Sequence, residues 1–403
     1  TNRRVSMRAK YYLAPAAAFF LIITFVTSPA ITLEASARGL DLWWNIVLPS
    51  LLPFFVAAEL LTGLGAVHFL GVLLEPLMRP LFRVPGIGGF IFALGIASGS
   101  PMGAMLTARY RSMGALSKEE GERLMSFANT AGPLFITVAV ATGMLGWPEI
   151  GVTLLLVHYL SSISTGLVMG FYKVKALSPA PPGKGKFILA RATQALVTAR
   201  NQDGRHLGKL LSDAITKGIN SLLLVGGFIT CFSVLIELLN ASGLIPWLAS
   251  VLAADADVLE IISAGILELT NGCREASQSS LPLAGKLIAI SAILAWSGLS
   301  VQGQAASFCS STDLSLKPYL LARGIQAGFA ALYTALLLKI NWIPPLPAAV
   351  IDFVRLGLGT KYLVSLAYLG AVLLALTAMA TALGLVTTCL QLKVFAFRVN
   401  QRN

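Results

Sequence analysis

A chain of 403 residues could hold two or three soluble domains, but 56% hydrophobic and 12% charged residues, with a mean hydropathy of +0.77, exclude that and place it in a membrane. Its 30 basic and 18 acidic residues leave a net charge of +12. The basic residues gather in loops and termini beside apolar runs rather than among aromatics on a polar module, so the excess reports membrane topology and argues against nucleic-acid binding.

Residues 11–33 follow Arg3, Arg4, Arg8 and Lys10 and carry no charge over 23 positions. That exceeds the roughly 7–15 apolar residues of a secretory signal, and predicts a retained first helix. The first residue is Thr1 rather than Met, so the native start is expected further upstream. A shorter apolar run at 42–58 completes a pair. Residues 67–82, with Glu75, Pro76 and Pro80 inside, predict a broken helix lying in the interface. Further uncharged runs occupy 84–108, 124–148, 150–172, 218–236, 287–312 and 362–392, with a shorter one at 324–338.

Residues 173–217 divide the chain. They hold nine basic residues against Asp203 and Asp213, a Pro- and Gly-rich linker at 178–186, and a basic amphipathic helix predicted on the membrane surface at 187–200. With the N-terminus in the cytoplasm, the stretch from Arg79 to Arg123, this linker, Lys317, Arg323 and the tail with Lys393, Arg398 and Arg402 fall on the cytoplasmic side. Asp255, Asp257 and Glu260 fall outside.

Four apolar segments are interrupted. The run at 84–108 contains Ser98-Gly99-Ser100-Pro101-Met102-Gly103, where a continuous helix would bury two Gly, a Pro and two Ser. A re-entrant hairpin resolves the conflict, because an arm of about 12 residues rises roughly 18 Å and reaches the bilayer midplane without crossing. The next run breaks at Asn129-Thr130-Ala131-Gly132-Pro133. In the second half, an apolar arm at 258–269 leads to a tip at Thr270-Asn271-Gly272-Cys273-Arg274, and the run from 287 breaks between Trp296 and Gln304.

Three crossings separate the two predicted hairpins. That odd number makes them enter from opposite faces, which defines an inverted-topology repeat, and paired broken segments in two halves point to a transporter's midplane site. The predicted fold is an all-α polytopic membrane protein with two re-entrant helical hairpins and two broken transmembrane helices. Its parts are N-terminal scaffold helices at 1–83, a first repeat at 84–172, the basic cytoplasmic linker at 173–217, a second repeat at 218–340, and a C-terminal helix with its tail at 341–403.

The strings LPSLLPFFVAAELLTGLG, GVLLEPLMRPLFRVPG, ALGIASGSPMGA and FANTAGPLFI, joined by ELTNGCREA and SGLSVQGQ in the second half, make the chain resemble the YlbJ, or stage V sporulation protein V, family of sporulation integral membrane proteins. The resemblance covers about three hundred residues. It implies two Gate, or nucleoside-recognition, domains, and an architecture similar to concentrative nucleoside transporters and the membrane part of ferrous-iron transporters. It also implies movement of dipicolinic acid from the mother cell across the outer forespore membrane, with both termini in the mother cell, and by analogy a homodimer or homotrimer.

Dipicolinate is a flat dianion, which calls for clustered donors, positive potential and an apolar slot. An arm beginning after Ser98, Gly99 and Ser100, with Gly103 close by, offers unpaired N–H groups and the positive end of a helix dipole. At the second tip Arg274 offers a guanidinium fork, unless it pairs with Glu275 or Glu268 or snorkels to the interface. Asn129, Thr130, Thr270, Asn271, Gly272, Ser297, Ser300 and Gln302, with Gln304, line the breaks; the alternative for the polar ones is interhelical hydrogen bonding. Glu268 is a candidate to bind a coupling cation, carry a proton or pair with Arg274. Glu59 and Glu237 fit interfacial positions, and His158 fits a packed, hydrogen-bonded core position.

The string Gly357-Leu358-Gly359-Thr360-Lys361 is not a phosphate-binding loop, and no Ser-His spacing suggests a hydrolase, so neither a pump nor an enzyme is expected. No cofactor is expected. Cys231, Cys273, Cys309 and Cys389 lie far apart without a CxxC, indicate neither disulfides nor zinc, and are expected as buried apolar side chains. A sporulation scaffold that does not transport, or a carrier of another solute such as a nucleoside, stays open.

Overall fold

Pro29 opens α1 (Pro29–Leu42), which passes through a π-helical turn (Trp43–Val47) into α2 (Leu48–Gly63). The computed structural model containing these helices describes residues 25–173, 188–252 and 255–342 and a few positions before residue 25. Most of the predicted first crossing, the linker at 178–186 and the C-terminal run lie outside the described residues. Every regular element within them is helical. Gly65, left-handed at φ 80°, turns the chain so that α3 (Ala66–Phe82) is bent 85° from α2.

The predicted break in α3 is not observed: the helix runs through Pro76 and Pro80. The two prolines are four residues apart, so the donors they forfeit fall on one face, and α3 is held by packing against both α4 (Ile87–Ser98) and α9 (Ile188–Asp203). Glu75 completes the support by accepting from Arg79 and from the backbone of Gly86. The amphipathic helix read at 187–200 is α9.

After α4 come α5 (Met102–Ser112) and α6 (Lys118–Ala128). Helix α6 is started by a capping box between Ser117 and Glu120. A non-helical break leads to α7 (Phe135–Met144), wound as a π-helix, and the Trp147-Pro148 turn leads to α8 (Ile150–Met169). The second half is α10 (Leu207–Ala241), α11 (Leu244–Leu252), α12 (Ala256–Leu267), α13 (Leu269–Gln278), α14 (Leu283–Trp296), α15 (Gly298–Cys309) and α16 (Leu316–Lys339).

Among the described residues, α8, α10, α14 with α15, and α16 are long and apolar enough to cross a membrane, and the bent α2–α3 pair is a fifth candidate. Leu156, Leu160, Leu223, Leu332 and Leu336 face outward along these helices, as a lipid-facing surface requires. Cys231 is exposed on α10, contrary to the expectation of burial, whereas Cys273 and Cys309 are buried.

Ion pairs gather the basic segments at one end of the molecule. Glu59 of α2, its side chain only 6% exposed, meets Arg109 of α5 and Lys217 of α10. Arg111 at the end of α5 donates twice to Asp313, at 2.8 and 3.0 Å, in the turn before α16. That hydrogen-bonded guanidinium holds the Asp313 carboxyl below its ordinary range, and Arg205 does the same to Asp203. Buried Arg123 ties the same end together by donating to the carbonyls of Arg83, Tyr172 and Lys173.

Candidate functional site

The first tip is short because α4 stops at Ser98 and α5 starts at Met102. Gly99 sits at φ 88°, and a side chain there would come within 2.7 Å of the Gly132 backbone nitrogen, so only glycine fits. Ser100 Oγ donates to the Thr130 carbonyl at 2.9 Å, and Thr130 Oγ1 donates to the Gly95 carbonyl at 3.2 Å. The Ala104 N–H donates to Asn129 Oδ1 at 3.4 Å, so the start of α5 is covered from within the protein. A Cβ at Gly103 would lie 2.7 Å from the Asn129 nitrogen. The predicted residues Ser98, Gly99, Ser100, Gly103, Asn129 and Thr130 thus form one junction, in which the α4–α5 tip is seated on the break between α6 and α7.

Breaking a helix in an apolar interior strands backbone groups that must find partners. Here α8 and α16 supply them. Ser162 donates to the Phe127 carbonyl at 2.7 Å, and the Ala131 N–H donates to His158 Nε2 at 3.0 Å. Arg323 of α16 donates to the carbonyls of Ser126 and Asn129, the latter at 2.9 Å. Its guanidinium also lies 5.3 Å from the centre of the Tyr319 ring, whose hydroxyl accepts from Asn129 Nδ2 at 2.8 Å.

Arg323, which charge patterning counts on the cytoplasmic side, is a residue of α16. It is 0% exposed, inside a membrane-length helix. Sequence reading missed Tyr319, Arg323 and Gln326, although their spacing of four and three marks one helix face, and that was the available signal.

At the second tip the turn falls earlier than predicted. Glu268, between α12 and α13, has extended backbone and accepts from the Asn271 N–H at 2.8 Å, with Thr270 also hydrogen-bonded to it. Capping by Glu268 starts α13 at Leu269, which places Thr270, Asn271, Gly272 and Arg274 in its first turns and not in a loop. The arms of this pair touch closely at Gly272 and Gly265.

The tip rests on the second break. There Ser297 adopts φ 70°, and a Cβ on Gly298 would come within 2.9 Å of the Glu268 Cα. That break is confined to the left-handed pair Ser297 and Gly298, at φ 70° and 72°, so Ser300 and Gln302 lie on α15. Gln302 Nε2 donates to the Trp296 carbonyl at 3.1 Å.

Arg274 is partly buried, and its Nε has no partner. Its side chain is 43% exposed and pairs with Glu275 at 3.2 Å. Glu268, buried at the helix start, occupies the place where the dipole would otherwise receive an outside anion.

The two junctions belong to one structural body. Ala131 of the first break and Leu269 of the second tip share an apolar cluster, and α5 packs against α15 through Ala104, Ala108, Ala305 and Cys309. Buried polar atoms without a partner occur at both places, and also in the turn before α8 at Trp147 Nε1 and Glu149 Oε2. Arg274 Nε lies beside the second tip, Ser300 Oγ and Gln302 Oε1 mark the second break, and His158 Nδ1, Arg323 Nε and Gln326 Oε1 surround the first. Such atoms are costly unless a solute or water meets them. No group of three or more His, Cys, Asp or Glu that could hold a metal ion occurs among the described residues.

The Gate family, described as nucleoside recognition, matches residues 45–148, which contain the first tip and first break. A sporulation integral membrane protein, YlbJ, from Bacillus subtilis strain 168 is 43% identical over 340 residues, covering 80% of this chain and 82% of that protein. No solved structure matches the chain.

Proposed function

Because the chain belongs to the YlbJ family of sporulation integral membrane proteins, we propose that it is a membrane carrier of a small anionic metabolite. The cargo we assign is dipicolinic acid, moved from the mother cell across the outer forespore membrane during sporulation. The observation that supports this reading best is the pair of tip-on-break junctions, each with buried polar atoms that no side chain satisfies. Irregular backbone at membrane depth is tolerated where it is buried in protein or lines a watery path, and paired broken segments mark transporter sites.

In this reading α4–α5 and α12–α13 are re-entrant hairpins. Helices α4 and α12 have 12 residues each, about 18 Å of rise, enough for the midplane and too little to cross. The halves form an inverted repeat in which α6–α7 corresponds to α14–α15 and α8 to α16. Reciprocal packing supports the correspondence, since α5 packs on α15 and α13 on α7, while α6 packs on α16 and α14 on α8.

The carrier works by alternating access, with α1, α2 and α10 as scaffold and both termini in the mother cell. It performs no covalent chemistry, needs no cofactor, and assembles as a homo-oligomer in the lipid bilayer.

The test is uptake of labelled dipicolinate by proteoliposomes holding the purified chain, beside empty liposomes and a parallel measurement with uridine. Saturable dipicolinate uptake supports the proposal. Uptake of uridine alone, or of neither solute under any imposed ion gradient, refutes it in favour of a nucleoside carrier or a scaffold.

A further inference from the structure

We infer that Arg323, with His158 beside it, is the subsite at the first break that receives an anionic oxygen group of the cargo. This deepens the carrier reading above and rests on it. It places a positive charge of the site on a buried residue of α16 that no motif identifies, beside the half-exposed Arg274 of the second tip.

The charge balance comes first. Arg323 is completely buried, and every partner it has is neutral: the carbonyls of Ser126 and Asn129 and the Tyr319 ring. No carboxylate among the described residues pairs with it, and outside them the sequence holds one acidic residue, Asp352. A guanidinium stays charged in a protein, and a lone charge in a membrane interior is expensive and marks function. Satisfying two carbonyls requires only N–H donors, so an Arg at this place supplies a positive charge that the break itself does not need.

The unclaimed donors come second. Arg323 Nε has no partner. His158 Nε2 accepts the Ala131 N–H, so in the neutral ring the proton resides on Nδ1, and that N–H is unpartnered as well. Gln326 is held to the same helix turn by its Nε2 donating to the His158 carbonyl at 3.4 Å, which leaves Oε1 unclaimed. His158 and Arg323 brace the same break, at the Ala131 N–H and the Asn129 carbonyl two residues apart. Two unused N–H donors and a positive charge in one buried cluster suit the two oxygens of a carboxylate. A solute binding there would also compete for the guanidinium that now braces the carbonyls of the break, which couples occupancy to the hinge between α6 and α7.

The experiment measures equilibrium binding to the full chain in nanodiscs. The probes are dipicolinate, picolinate, inorganic phosphate and the uncharged dimethyl ester of dipicolinate. The wild type is expected to bind at least one anion and to reject the ester. Arg323→Gln is expected to weaken anion binding at least tenfold, Arg323→Lys less, and Arg274→Gln within about twofold of wild type. A folded Arg323→Gln variant with wild-type affinity overturns the subsite while leaving the carrier proposal standing.

An anion other than dipicolinate, bound through Arg323, removes dipicolinate as cargo and keeps the subsite. Binding of no anion overturns both. Asp352→Asn is expected to change affinity less than twofold; a marked rise in anion affinity identifies Asp352 as the internal counter-ion and overturns the inference. Should Arg323→Gln fail to fold, butanedione modification of the wild type decides. Arg323 is expected to react when unliganded and to be protected by the bound anion, and a failure either to react or to be protected overturns the assignment.

Discussion

The tightest prediction concerns Gly103, because one methyl group placed there meets backbone rather than movable side chain. A Cβ at that position lies 2.7 Å from the Asn129 nitrogen and closer still to the Ala128 carbonyl. Ordinary contact distances of about 3.5–4.0 Å require the tip and the break to separate by roughly 1 Å. Overpacking of this kind costs about 1–3 kcal/mol. The same movement stretches the 2.9 Å bond from Ser100 to Thr130 and the 3.4 Å bond from Ala104 to Asn129, worth about 1 kcal/mol each. The gain in helix propensity offsets about 1 kcal/mol, so Gly103→Ala is expected to destabilise by roughly 2–4 kcal/mol and to reduce uptake.

Gly227 on α10 is the matched control. It is exposed, and a Cβ there meets nothing within 4 Å, so Gly227→Ala is expected to stabilise by about 0.5–1 kcal/mol. Thermal melting of both variants in one detergent reads the opposite signs. A Gly103→Ala protein as stable as wild type would falsify the seating of tip on break.

Three further outcomes follow from the same geometry. Glu59→Gln leaves Arg109 and Lys217 facing each other without their carboxylate; melting should show a loss on the order of 1–3 kcal/mol, short of a fully buried pair because Lys217 is half-exposed, and an unchanged melt contradicts it. Asp313 is held below its ordinary value of 3.8 by Arg111, so its contribution is complete above that value and disappears as pH falls through the depressed folded one. The melting difference between wild type and Asp313→Asn should shrink below about pH 4 and also with added salt; a constant difference rejects the pairing. Ser297 holds a left-handed conformation at φ 70°, so Ser297→Gly should melt at or above wild type and Ser297→Val below it, and the reverse order argues against the strain.

The breaks were legible because proline, glycine and polar side chains inside apolar runs conflict with a continuous helix. Ser98 to Gly103, Asn129 to Pro133 and the region of Ser297 are all interrupted where those residues stand. The second tip was displaced because Thr270-Asn271-Gly272 has turn composition, while the Glu268 carboxylate that caps α13 makes those residues helical.

The burial of Arg323 went unread for a different reason. Counting charge assigns an arginine near the end of an apolar run to a side of the membrane and says nothing of its burial, which depends on carbonyls 194 and 197 positions away in sequence. Pro76 and Pro80 misled in the opposite direction, because α3 is braced by α4, α9 and Glu75. Nothing in residues 135–144 distinguishes a π-helix from an α-helix by composition.

The central claim is that the two breaks line the path of the cargo, and single-cysteine accessibility tests it most directly. With the native cysteines replaced, Ser98→Cys and Ser300→Cys are placed one at a time in proteoliposomes and treated with a membrane-impermeant thiol reagent from either side. Labelling of both positions, slowed by dipicolinate and unaffected by its dimethyl ester, is the result expected of a solute path through the junctions. Positions that label from neither side, or label at the same rate whether or not dipicolinate is present, contradict it.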